Sequence, residues 1–410
     1  HNYSEAAQTL EVTLEIGDQR LAIGGEAVQT ITLQPGQQKI VGWPVEAVEA
    51  GEVAVVITAV PASGSGPRDA IQLPLTIQPL AIPDVTTEVG QFTGSFATSV
   101  TVPDDALPMS QVELQLSRSI AGSLLEGLQY LTGYPYGCVE QTMSKALPNA
   151  VVGRALNQLG VTNPTLQAEL PGQINASIQR LYGFQHPDGG WGWWYDDSSH
   201  DYQTAWVIFG LAQVAEAGYE IDPGVIERGV EWLNQSRADM DVRTHAFALY
   251  AMALAGLPNE EATLALHRDR AGLNGDEFSL AALALTLHQI GEDALAADVL
   301  DELGETAVAR DGSVYWQGAN HDGYYGDKVM ASDIRTTALA LSAYTQIQPG
   351  HENIPGMVRW LMSQRRSLGW GTTNETSFAI LGLTDHLLAT SYSEAAASTS
   401  YTVQVNGRTV

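Results

Sequence analysis

Apolar and polar positions alternate over the first part of the chain at the two-residue period of half-buried strands. Leu10-Glu11-Val12-Thr13-Leu14-Glu15-Ile16 alternates strictly, and 53–60 is an apolar run rich in β-branched residues. Residues 70–77 and 112–116 alternate too. Gly and Pro punctuate these runs at Gly24-Gly25, Pro35-Gly36, Gly51 and Ser63 to Pro67, which predicts a sandwich-type β domain over 1–79. Pro79 and Pro83 interrupt the pattern and predict a division there, with further β structure over 80–118.

From Ser119 the period changes. Leu124, Leu125, Leu128 and Leu131 fall at helical spacing. Ala/Leu-rich segments separated by Gly or Pro then predict helices over 139–159, 165–184, 202–217, 223–235, 243–255, 276–290, 294–303, 332–347, 352–365 and 374–389. Near Ala395 the helical signal ends. Tyr401 to Val405 alternates again, followed by an Asn406-Gly407 turn signal.

The helical part repeats loosely. The Gly/Trp stretches DGGWGWW (188–194), DGSVYW (311–316) and LGWGTT (368–373) each precede an Ala/Leu helix that carries Thr204-Ala205, Thr337-Ala338 or Thr376-Ser377. EWLNQS (231–236) and RWLMSQ (359–364) form another pair. Alternating helices with recurrent Gly/Trp turns predict a closed ring of helical hairpins, an α/α toroid over 119–394. The tryptophans read as packing residues, because Trp buries a large area at turns.

Composition narrows the partners. A net charge of −28 argues against nucleic acid or an anionic membrane surface, since both need basic patches. No apolar run approaches the roughly 18–20 residues of a membrane-spanning helix. The chain has no starting Met and ends inside an apparent strand, so it reads as a fragment of a longer protein, and missing targeting signals say nothing. Lysine is confined to Lys39, Lys145 and Lys328. No His-x-x-x-His or His/Cys ligand set occurs, so no metal and no cofactor are expected.

The one cysteine, Cys138, cannot form an internal disulfide. It stands in YPYGCVEQT (134–142), three residues before Gln141 at the expected start of a helix, where side chains three apart share a face. A helix N-terminus and nearby amides favour the thiolate. Attack of sulfur on the glutamine carboxamide, with loss of ammonia, gives an internal thioester, an acyl group far more electrophilic than an amide. Gly137 allows close approach. Glu140 is placed to act as a local acid or base, or to favour the helix start. Tyr134 and Tyr136 are placed to shield the bond. The plainer alternative is a buried cysteine followed by an ordinary helix.

YPYGCVEQ resembles the thioester signature Gly-Cys-x-Glu-Gln of the α2-macroglobulin and complement superfamily, most nearly that of the bacterial α2-macroglobulins. Cys138, Glu140 and Gln141 match it residue by residue, and GGWGWW with the segments that follow is also like the bacterial thioester domains. The resemblance implies a macroglobulin-like β domain at 1–79, a first CUB segment at 80–118, the toroidal thioester domain at 119–394 and the start of a second CUB segment from 395. It implies a shielding role for Tyr134. It implies trapping of endopeptidases by acylation of their lysines, at a bacterial envelope or in secreted form. Any membrane anchor would lie in sequence before His1. In the fast complement proteins a downstream histidine directs the acyl group to hydroxyls; here EWLNQSRADMDVRTHAF runs from one helix to the next with no loop to carry it. His245 reads as packing, so amines are the expected nucleophiles. Two alternatives stand beside this reading: a scaffold or adhesion module whose Cys and Gln never cyclise, and a terpenoid-cyclase-like toroid enzyme, against which SDIRTT (332–337) offers a single Asp.

Overall fold

A computed structural model describes residues 1–66, 68–79, 94–104, 106–107, 110–114, 116, 137–159, 163–273, 275–318, 332–366, 369–390 and 402–409. The chain divides into two compact units, 1–84 and 85–410.

In the first unit the alternating runs become strands: β1 Gln8–Ile16, β2 Leu21–Ile23, β3 Val28–Leu33, β4 Val45–Ala47, β5 Gly51–Pro61 and β6 Asp69–Ile77. Four of them form an antiparallel sheet in the order β3-β1-β5-β6, and β2 pairs with β4 in a separate ribbon. The period of two sends Leu10, Val12 and Leu14 to one side of β1. Val12 meets Ile31 and Leu33 in the core, with Trp43, Ile57 and Ala59 packed against them. Strand β6 is the sheet edge, where Pro74 costs no ladder bond.

Of the strand expected over 112–116, the described residues 112–114 and 116 are not in a strand, and Val112 and Leu114 stand exposed. Alternation marks a face that a partner can cover, but a strand needs a neighbour to complete its ladder. Among the described residues none pairs with this segment.

The second unit is helical: α1 Val139–Leu159, α2 Pro164–Phe184, α3 Asp201–Glu216, α4 Pro223–Ser236, α5 Val242–Leu254, α6 Glu260–Arg268, α7 Glu277–Gln289, α8 Asp293–Glu305, α9 Asp333–Ile347, α10 Ile354–Ser363 and α11 Thr373–Ala389. All the expected helices from 139 onward are present, with ends within two residues. Helix α6 lies where no element was expected. It is short, but Asn259 caps it and Glu260 and Glu261 occupy its first turn, so its signal was local and present.

The odd-numbered helices pack successively, α1 on α3, α3 on α5 and onward to α11, which returns to α1. They make a closed inner ring. The even-numbered helices lie outside, each on the inner helix that precedes it. This explains the sequence texture. Inner helices are buried on every side, as α3 is from Tyr202 to Val214, so they are uniformly rich in Ala, Leu and small residues. Outer helices such as α4 bury one stripe only, Val225, Ile226, Gly229, Val230 and Leu233. Aromatic rings fill the interior: Phe209 lies 5.4 Å from Phe247 and 5.9 Å from Phe378, and the buried Arg335 guanidinium sits 3.6 Å above the Phe278 ring.

The Gly/Trp repeats are one device used three times. The indole of Trp191 donates to the Leu181 carbonyl at 2.8 Å, that of Trp316 to Leu303 at 2.8 Å, and that of Trp370 to Leu361 at 2.6 Å. The backbone N–H of each Trp donates to the repeat threonine on the next inner helix: Thr204 at 2.9 Å, Thr337 at 3.1 Å and Thr376 at 3.0 Å. Each ring therefore caps an outer helix and each threonine ties the turn to an inner one. All three tryptophans are fully buried, which is the packing role expected of them.

Two hairpins complete the unit. Strands β7 Val308–Arg310 and β8 Ser313–Tyr315 join through Asp311-Gly312, and β9 Gln404–Val405 joins β10 Arg408–Thr409 through Asn406-Gly407. Both turn pairs have positive φ, the geometry that Asp-Gly and Asn-Gly favour.

Candidate functional site

Cys138 immediately precedes α1 and caps it. The first N–H groups of a helix lack partners inside it, and here the segment before α1 and a neighbouring loop meet them. Val139 donates to the Trp193 carbonyl at 3.0 Å and Thr142 to the Cys138 carbonyl at 3.0 Å, while the Glu140 and Gln141 N–H groups lie near enough to the Cys138 sulfur to lower its pKa. A sulfur thus stands where Ser, Thr or Asp caps most helices. The Thr142 hydroxyl also donates to the Cys138 carbonyl, at 2.9 Å.

Gln141 folds back over the preceding residue. A Cβ on Gly137 would lie 1.5 Å from Gln141 Oε1 and 2.7 Å from its carboxamide carbon. Only glycine leaves this space to the carboxamide. The Gly137 carbonyl is held in turn by Arg180 Nη2 of α2 at 3.0 Å.

Glu140 is buried and points inward, toward the seam where the ring closes. It accepts from Ser144 Oγ at 2.5 Å and, through its two carboxylate oxygens, from Thr373 Oγ1 at 3.1 and 3.2 Å. Thr373 opens α11, so this contact joins the first and last inner helices. Ser377 Oγ adds a second tie, to the Ser144 carbonyl at 2.8 Å.

The electrostatics correct one expectation. Burial pushes the Cys138 thiol above its ordinary range. The N–H groups of Gln141 and Glu140 pull it down, and the Glu140 carboxylate pushes it further up, but burial wins, so the free thiol is not poised as a thiolate. Burial likewise raises the Glu140 carboxyl, against the hydroxyls of Ser144 and Thr373.

The sequence-named residues Gly137, Cys138, Glu140 and Gln141 thus lie together, while Tyr134 and Tyr136 fall outside the described residues. His245 sits inside α5, half-buried, with Nε2 enclosed and unpartnered. Burial lowers its pKa and nearby Arg237 adds to the effect, so it stays neutral. Sequence reasoning missed Arg180, Thr373, Ser144, the Trp193 carbonyl and Asp197. Asp197 Oδ2 accepts the Trp193 and Trp194 N–H groups at 2.8 and 3.2 Å. The only sequence signal for this group was the GGWGWW stretch itself.

Among the described residues no cluster of His, Cys, Asp or Glu is placed to hold a metal ion, and no helix is long and apolar enough to cross a membrane. Comparison with known proteins follows the fold. The chain is 25% identical over 383 residues to the α2-macroglobulin of Thermotoga maritima, covering 93% of this chain and 22% of that protein. It superposes with a TM-score of 0.59 on native Escherichia coli α2-macroglobulin spanning domain MG7 to the C-terminus, at 20% identity, covering 94% of this chain and 62% of the other. Salmonella α2-macroglobulin reacted with methylamine aligns with a TM-score of 0.58 at 20% identity, over 96% of this chain and 26% of that one. The sequence profile of the A-macroglobulin TED domain matches residues 109–267 and 259–386, well over half of the chain, and the protein therefore belongs to that family.

Proposed function

We propose that this chain is the thioester-bearing part of a protease-trapping α2-macroglobulin, in which Cys138 Sγ and the Gln141 carboxamide carbon are joined. The observation that carries the reading is the Gln141 side chain lying in the space left by Gly137, the residue that immediately precedes Cys138. Cyclisation forms the Sγ–Cδ bond and breaks Cδ–Nε2, and ammonia leaves with the thiol proton. When an amine attacks, its nitrogen bonds Cδ, the Cδ–Sγ bond breaks, and the departing sulfur takes up the amine proton. The Glu140 and Gln141 N–H groups, which lower the thiol pKa, stabilise the charge that develops on the sulfur. Burial of Cys138 excludes water from a bond that water would hydrolyse.

The target under this reading is an endopeptidase, acylated on lysine after its own cleavage of the inhibitor elsewhere. Amines react in preference to hydroxyls, because the neutral His245 lies inside a helix. Segments 80–118 and 395 onward belong to a CUB domain interrupted by the toroid. Tyr134 shields the bond, and the protein works at the bacterial envelope or after secretion.

Intact mass of freshly prepared protein tests the reading. The expected mass is the sequence mass less one ammonia. Methylamine then frees the Cys138 thiol and leaves a methylated amide at Gln141, and glycerol does so far more slowly. Cys138→Ala abolishes both signals. A plain sequence mass with Cys138 alkylatable from the outset would leave a scaffold without acyl chemistry.

A further inference from the structure

We infer that Asp197 is a positioning residue of this site: by holding the Trp193 turn, it presses the Trp193 carbonyl onto the Val139 N–H and keeps the Cys138 sulfur enclosed. The inference rests on the thioester reading for its chemistry but on geometry for its mechanism.

The turn from Trp191 to His200 is anchored at both ends. At one, Trp191 is bound by Leu181 and Thr204; at the other, the His200 N–H donates to the Trp191 carbonyl at 2.9 Å. Between them the chain has no ladder to follow, and two successive N–H groups, those of Trp193 and Trp194, converge on a single carboxylate. Asp197 Oδ2 receives Trp193 and Trp194, and a Cβ on Gly192 would fall 1.8 Å from Asp197 Oδ1, so the turn closes around the carboxylate itself. Behind it stands buried His186. Its Nδ1 lies 2.9 Å from Ser199 Oγ, its Nε2 lies 3.0 Å from the Trp194 carbonyl, and Asp197 Oδ1 is 3.6 Å away. Ser199 Oγ in turn donates to Asp188 at 2.7 Å. Among the described residues, the Val139 N–H donating to the Trp193 carbonyl is the hydrogen bond that ties this turn to the cysteine segment, so the orientation of that peptide bears on how firmly the α1 start is held. Trp194 and Tyr195 are exposed, at 49% and 71%, so their side chains contribute less to holding the turn than a buried pair would.

The test uses the full chain. Asp197→Ala should accelerate methylamine-driven release of the Cys138 thiol by about tenfold, the equivalent of one backbone hydrogen bond. Asp197→Asn retains a carboxamide oxygen for the two N–H groups and should return the rate to near that of the wild type. Thr337→Val loosens a turn that, among the described residues, makes no bond to the cysteine segment, and serves as the control, less stable but unchanged in rate. A wild-type rate for Asp197→Ala, or equal acceleration by Asp197→Asn or Thr337→Val, overturns the inference and leaves the thioester reading intact. If the wild type carries no thioester, that reading fails by itself. The same four proteins are then compared by modification of the free Cys138 with a thiol reagent, where the same order of rates supports the role of Asp197 and equal rates refute it.

Discussion

Gly137 and Gln141 occupy one space: the carboxamide oxygen of the second lies 1.5 Å from where a side chain of the first would begin. Gly137→Ala must expel that carboxamide. The glutamine is flexible, so the fold should survive with a loss of about 1 kcal/mol, typical of a point substitution. The ammonia-loss mass and the methylamine-released thiol should both disappear. Persistence of either in Gly137→Ala would show that cyclisation does not depend on this space.

Glu140 opposes ionisation of Cys138 through its charge while joining α1 to α11 through Thr373. Glu140→Gln separates the two roles, because the carboxamide oxygen can still accept from Thr373. In methylamine-treated protein the thiol of this variant should ionise at lower pH than that of the wild type. The pH profile of alkylation by iodoacetamide reads this directly, and an unchanged or upward midpoint would contradict it.

The Trp316–Thr337 tie should be a stability element and not part of the chemistry. Thr337→Val leaves the Trp316 N–H buried without an acceptor, at a cost of roughly 1–3 kcal/mol. A lowered midpoint in urea with an unchanged slope is the expected result. Equivalent losses for Thr204→Val and Thr376→Val would establish that the three turns are physically alike.

Burial raises the Asp385 carboxyl on α11 from 3.8 to about 6, with Arg154 and Gln346 pulling it down and Glu216 pushing it up. The folded state therefore holds this proton more tightly than the unfolded chain does. Its contribution to stability is fully present below 3.8 and is lost as the pH rises through about 6. The loss is on the order of 2–3 kcal/mol. Thermal melts from about pH 4 to 7 should show a steeper decline for the wild type than for Asp385→Asn. Parallel curves would remove Asp385 from the account.

What the amino-acid sequence determined by itself is whatever depends on neighbours a few residues apart. The change of period marks where strands give way to helices, and Asn163, Asp222, Asp241 and Thr372 mark helix starts by capping the next turn. The spacing of Cys138 and Gln141 places them on one turn, and the recurrence of Trp with a following Thr was visible as a repeat before its hydrogen bonds were known. Alternation at 112–116 marks a face but not the partner that completes a strand, and among the described residues none pairs with it. The tertiary structure decided the rest. Thr373 reaches Glu140 across 233 residues only because the inner helices, each turned slightly on the last, close into a ring. The Trp193 carbonyl meets Val139 because that ring brings a loop beside a helix start. The Cys138 thiol is raised and not lowered because the same closure buries it, and desolvation outweighs the helix N-terminus when no water remains to share the charge.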